Sequence, residues 1–203
     1  MPSLPTVQIT VWLLVILGSL SGCASTATPA NKTVYDLGAV AAPVPAGGVH
    51  PLASALAITD IQSNLGQSST AMQYRLTYAN AQVLQPYALA SWSVPPAQLL
   101  SQRLRAVLSQ RRPVVAWGEG QTTHVLQISL EEFGQTFSAP DTSVGTVHVR
   151  ATLLKGDQPL AQRDFSASVP APTPDATGGV RALAMATQTV AQALSDWVAQ
   201  TAP

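Results

Sequence analysis

The pattern of apolar and polar positions divides the chain before any residue type is considered. Val11 to Leu20 reads VWLLVILGSL, an apolar block bounded by Gln8 and Thr10 on one side and by Ser21 and Gly22 on the other. A block of about ten residues has the length of a signal-peptide core and falls short of the ~20 needed to span a bilayer. Beyond it the apolar positions become periodic. Tyr35 to Ala39 reads as a short strand, and Pro43, Pro45, Gly47 and Gly48 mark a loop. Ser54 to Gln62, carrying Leu56, Ile58 and Ile61, reads as a mostly buried strand, and Asn64 to Gln67 as a turn. Met72, Tyr74, Leu76 and Tyr78 then alternate with Gln73, Arg75 and Thr77, the period of a half-buried strand. These two strands are expected to pair.

Val94-Pro95-Pro96 opens a helix predicted to run to about Gln110. Proline suits a first helical turn, where its missing N–H costs little. Ala97, Leu100, Leu104, Val107 and Leu108 fall on one face, with Gln102, Arg103, Arg105 and Gln110 outside it, so the helix is expected to pack on a sheet. Thr122 to Phe133 alternates as a strand, and Ser138 to Asp141 reads as a loop. Val147, Val149, Ala151 and Leu153 line one face of the next strand, and Gly156-Asp157 turns the chain into a third, Leu160 to Val169. Together they predict a three-stranded antiparallel meander. After a proline-rich connection, Pro170 to Gly179, a last helix is expected from Val180 to Ala199, with Leu183, Ala186, Val190, Leu194 and Trp197 in a core-facing stripe. The fold class is α/β: a single domain with a mixed, largely antiparallel sheet packed by two main helices.

Composition narrows the function. The 203 residues include 10 basic and 10 acidic side chains, for zero net charge, so no basic footprint points to nucleic acid. Charged residues make up 10% of the chain, well below the ~25% of an ordinary soluble protein. The polar surface must come from Gln, Ser and Thr. Cys23 is the only cysteine, so an intrachain disulfide and a thiolate metal cluster are both impossible.

The position of Cys23 is informative. Leu20-Ser21-Gly22-Cys23 resembles the bacterial lipobox, in which a branched apolar residue and two small ones precede a cysteine whose sulfur receives diacylglycerol. The segment before the apolar block has no Lys or Arg, although signal peptides ordinarily carry positive charge there. The organisation expected is a lipoprotein signal peptide at 1–22, a lipidated tether at 23–34 and a folded domain at 35–203. Two or more acyl chains hold a protein stably on a membrane. Ala24 to Val34, extended, reaches on the order of 35–40 Å. Ala at position 24, rather than Asp, favours the outer membrane under enteric-type sorting.

Catalytic and metal-binding patterns are not evident. His50, His124 and His148 are scattered, without a zinc-type spacing or companion carboxylates. Glu131 and Glu132 adjoin on a strand and are expected on opposite faces. Gly118-Glu119-Gly120 lacks the third glycine and context of a dinucleotide loop. No enzyme activity, cofactor or metal is implied.

The middle of the chain resembles the ABC-type transport auxiliary lipoprotein family, which includes PqiC-like subunits. The resemblance rests on Tyr35-Asp36-Leu37, on Tyr74-Arg75, and on "YALASWSVPPAQLLSQRLRAVL" from Tyr87 to Leu108. The family's Tyr-Arg strand, Trp-x-x-Pro-Pro segment and Leu-rich helix fall here on Tyr74, Arg75, Trp92, Pro95, Pro96, Leu99, Leu100 and Leu104. An Arg commonly precedes the tryptophan, and here it is Ser91. The resemblance implies an accessory lipoprotein on the periplasmic face of the outer membrane, held there by the acyl chains on Cys23. Its partner would be the MCE-domain substrate-binding subunit of an ABC system that moves phospholipids or other hydrophobic molecules. The alternative is a lipoprotein that binds lipid directly between helices and sheet, or assists envelope assembly. Tyr74, Arg75, Trp92, Pro95 and Pro96 are candidates for partner contact or for a purely structural role: Trp92 capping the core, Arg75 pairing with a carboxylate such as Asp60. Homo-oligomer formation is left open.

Overall fold

In a computed structural model, residues 31–39, 55–63, 69–120 and 122–202 are described. The apolar block, Cys23, most of the tether, the loop at Pro43 to Gly48, His50 and the turn at Asn64 to Gln67 lie outside them. The organising element is β7, His124–Ala139, sixteen residues long. Leu126, Ile128, Leu130, Phe133, Gln135 and Phe137 point into the core from it. It carries a bulge: Leu130 pairs with Val149 and Glu132 with His148, so Glu131 is the extra residue. Strict alternation fails there. Glu131 and Glu132, expected on opposite faces, instead border the same cavity.

One edge of β7 carries the antiparallel meander expected, β7 with β8 (Thr142–Lys155) and β8 with β9 (Gln158–Pro170). The other edge is shared by three short strands, each parallel to β7: β2 (Leu56–Ile58), β3 (Gln62–Ser63) and β4 (Ala71–Leu76). This corrects the expected pairing of the second and fourth strands. They lie in line along one edge and do not face each other, because β7 is long enough to satisfy both.

Two further strands were not legible. β6, Val114–Ala116, extends the sheet beside β2 and has only three residues, too few to show a period. β5, Leu84–Trp92, pairs antiparallel with β4 and in turn carries β1, Thr33–Tyr35. Its register jumps, since Ala71 faces Ser91 while Gln73 faces Pro86, so extra residues on β5 erase the alternation.

Two helices cover one face of this nine-stranded sheet. α1, Pro96–Leu108, begins at Pro95 and Pro96, and the Pro95 carbonyl accepts from the amides of Gln98 and Leu99. α2 spans Ala176–Thr201, starting earlier than the expected Val180. Asp175 caps it: the carboxylate accepts from the Gly178 amide at 2.7 Å. Gly178 and Gly179 concealed this start because glycine is a poor helix former. A Cβ on Gly179 would lie 2.0 Å from Gln135 Oε1, and one on Gly145 of β8 would lie 2.8 Å from the Leu183 amide nitrogen. The two glycines let helix and sheet approach closely. Between them the core is filled by Leu56, Leu100, Leu104, Leu126, Leu153, Leu183 and Leu194, all essentially inaccessible. Among the described residues no helix is long and apolar enough to cross a membrane.

Candidate functional site

The signature residues share the region where β4, β5, β7 and α1 meet, but they do different things. Tyr74 faces inward. Its ring packs against Tyr87 at 4.6 Å and edge-on to Phe137 at 5.8 Å, and its hydroxyl donates to Gln85 Oε1 at 2.8 Å. Trp92, 3% exposed, packs edge-on against Phe133 at 5.4 Å. It closes the core just before the chain turns through Ser93 and Val94 into α1. Pro96 is buried in the first turn of that helix. A partner would reach none of the Trp92 ring without unpacking this corner.

Arg75 is placed otherwise, on the sheet face away from the helices. Its Nη1 donates to the Ala81 carbonyl at 2.6 Å, bracing the turn between β4 and β5. The expected pairing with Asp60 is therefore corrected: the guanidinium turns towards the hairpin of its own strand. Arg75 also borders a cavity of about 330 Å³ with Gln73, Leu84, Glu132 and Thr136. A second cavity on the same sheet face, about 390 Å³, is bordered by Gln62, Gln127, Arg150, Thr152 and Gln162. Both are open; the first has a mixed lining, and the second is lined mostly by apolar surface although polar side chains border it.

Two buried polar groups escaped the sequence reading. Gln135 is 1% exposed. Its Oε1 accepts from the Tyr87 hydroxyl at 2.9 Å, and its Nε2 donates to Ser143 Oγ at 2.8 Å. Burial, then the proximity of Tyr74 and Asp175, pushes the Tyr87 phenol well above its ordinary range, so it stays a donor. The signal was present: Phe133, Gln135 and Phe137 continue an inward alternation past the point where the strand was expected to stop.

Arg103, expected outside the apolar stripe of α1, is buried instead. Its guanidinium donates to the carbonyls of Leu37 and Gly38 at 2.5 and 3.0 Å and to Gln188 Oε1 at 3.3 Å. Burial lowers its pKa, partly offset by Asp36. It ties the segment after β1 to both helices.

His148 has a carboxylate neighbour that its position in the sequence does not mark. His148, Arg150 and Asp164 form a surface cluster, with Arg150 Nε 3.0 Å and His148 Nε2 3.4 Å from Asp164 Oδ1. His124 lies at the other end of the sheet, its pKa lowered by burial and then by Arg112 and Lys155. Among the described residues no group of three metal-ligating side chains comes together.

A family model described as the ABC-type transport auxiliary lipoprotein component matches residues 49–195. Protein XCC0632 from Xanthomonas campestris has a similar structure, with a TM-score of 0.69, at 22% identity over 83% of this chain and 95% of that one. An uncharacterized protein superposes with a TM-score of 0.63, at 15% identity over 83% and 99% of the two chains. The hypothetical protein CT253 from Chlamydia trachomatis gives 0.50, at 8% identity over 73% and 96%. At these identities the likeness is one of fold. No curated protein matches the chain significantly.

Proposed function

The chain belongs to the family of ABC-type transport auxiliary lipoprotein components, and from that membership we propose a periplasmic docking subunit, acylated at Cys23, that contacts the MCE-domain subunit of a lipid-moving ABC system. The observation that carries this reading is the family match over residues 49–195, set downstream of Leu20-Ser21-Gly22-Cys23. The domain works without catalysis. It is held at the periplasmic face of the outer membrane and presents its sheet to the transport machinery, whose cargo is phospholipid or another hydrophobic molecule.

Two structural features support docking over direct lipid binding. The leucines between helices and sheet fill the space in which an internal lipid would lie. The cavity beside Arg75 is bordered by Gln73, Glu131, Glu132 and Gln135, whereas small-molecule pockets are predominantly apolar. Cys23→Ala, or globomycin, should move the protein from the membrane to the soluble fraction. Unchanged retention would remove the anchor from the proposal. Affinity capture of the acylated protein from membranes in mild detergent should recover the MCE-domain subunit. Its consistent absence, when the gene lies beside those of the permease and ATPase, would defeat the docking assignment. Bound phospholipid in native mass spectra of the purified protein would favour the lipid-binding alternative.

A further inference from the structure

The sheet face opposite the helices has two unlike halves. Over β7, β8 and β9 it is built from rows of polar side chains that face one another in register: Gln127, Thr152 and Gln162, then Ser129, Arg150 and Asp164. Many of them bond to each other, as Thr146 does to Ser168 and Gln162 to Thr152. Over β4 it stays polar, with Gln73 and Arg75, and along β5 and β1 it turns apolar. Val34 (62% exposed) stands beside Ser91 in the β1–β5 ladder, and Leu84 (43%) faces Arg75 across β5 and β4. Leu89 (56%) lies in the bulged stretch between them, and Tyr78 and Val83 are exposed in the adjoining hairpin. Of eight large hydrophobic side chains exposed among the described residues, these are five; Trp117, Leu160 and Met185 are scattered singly elsewhere. Single exposed apolar residues are ordinary, but a clustered set marks a contact surface.

We infer that the β1–β5 half of this face, through Val34, Leu89 and Leu84, rests on the lipid bilayer that holds Cys23. The inference depends on the acylation proposed above. Chain length names the occupant. From Cys23 to Lys32 the chain spans nine residue steps, about 30 Å when fully extended. β1 begins at Thr33, and Val34 is its second residue, so the apolar strip is the part of the domain to which the tether is joined. A surface confined so closely meets the bilayer at high effective concentration, and a few apolar side chains suffice for a contact too weak to hold a free protein. Lys32, next to Thr33, adds a cation where anionic headgroups would lie. The polar β7–β9 half lies outside this contact and is free for protein.

The test uses the full-length acylated protein in phosphatidylcholine–phosphatidylglycerol vesicles. Cys23 is blocked by its acyl group, so Leu89→Cys, Ser91→Cys and Ser166→Cys each provide one free thiol for an environment-sensitive fluorophore. Doxyl-labelled lipid should quench the label at 89 and at 91 at least about fivefold more than at 166, because only the first two lie at interfacial depth. Ser91→Cys keeps every apolar side chain, so the experiment survives poor folding of the Leu89 variant. Equal, weak quenching at all three sites overturns the inference. So does shielding of positions 89 and 91 from aqueous iodide without doxyl quenching, which would indicate a second copy or another protein on this face. Mass spectrometry of the N-terminal peptide and flotation with vesicles report the anchor separately. An unacylated Cys23 would defeat the anchor and the inference with it, whereas floating protein with unquenched labels would defeat the inference alone.

Discussion

The two faces of β7 carry the same backbone and obey opposite rules. On the covered face, Phe133, Gln135 and Phe137 are packed under α2 so closely that a Cβ on Gly179 would nearly coincide with a Gln135 oxygen. On the open face, Glu132, Gly134 and Thr136 border an open cavity, and a Cβ on Gly134 would make only an ordinary contact, 3.6 Å from the Gln73 carbonyl. Stability is concentrated on the first face, and the second is left free to evolve contacts. The family's aromatic signature divides along this line: Tyr74 and Trp92 belong to the covered face, while Arg75 belongs to the open one.

The largest effect should come from the covered face. Trp92→Ala removes the ring that closes the corner between β5 and α1, and large-to-small changes of this kind cost about 3–5 kcal/mol. Urea unfolding should show a midpoint lowered accordingly, and a loss under about 1 kcal/mol would mean the corner is looser than its burial indicates. Gln135→Ala should cost about 1–3 kcal/mol, because the Tyr87 hydroxyl and Ser143 lose their partner inside the protein. Near-wild-type stability of this variant would break the contrast between the faces at its centre.

Much of the covered face was legible in the sequence, because burial on one side imposes a period. The helix stripes, the meander and the inward positions Val147, Val149, Ala151 and Leu153 all follow from alternation of 3.6 or 2. What was illegible had local reasons. Bulges at Glu131 and within β5 break the phase, β6 is too short to have one, and Gly178-Gly179 reads as a loop unless the approach of Gln135 is known. Arg103 looked like a solvated helix residue because its partners, the carbonyls of Leu37 and Gly38, are main-chain atoms that no sequence pattern marks. The same alternation marks the open face, with His148, Arg150, Gln162, Asp164 and Ser168 between the inward positions, but what that face contacts leaves no trace in the spacing.

Asp175 caps α2 at an exposed end of the covering helix and should show an intermediate effect. The Gly178 amide, the Thr173 hydroxyl and the Thr177 amide hold its carboxyl below the usual range, with Arg181 assisting and slight burial opposing. A carboxyl with a lowered folded pKa stabilises the fold above its unfolded value, near 4, and that contribution disappears as pH falls through the lower folded value. Asp175→Ala should cost about 1 kcal/mol at neutral pH. The difference from wild type should shrink below pH 4; a difference independent of pH would assign the loss to packing and not to the cap.

The smallest effect belongs to the open face, and it is the sharpest check on the comparison. Asp164 accepts from Arg150 and lies beside His148, with more than half of its side chain exposed. Exposed pairs of this kind contribute at most about 1 kcal/mol, because water solvates the separated charges nearly as well and salt screens what remains. Asp164→Asn should therefore lower stability by less than Asp175→Ala does, and added salt should shrink the difference further. A loss as large as that of Gln135→Ala would show that the polar half is structural after all. A silent substitution leaves the row of Ser129, Arg150 and Asp164 as a face whose chemistry serves something outside the fold.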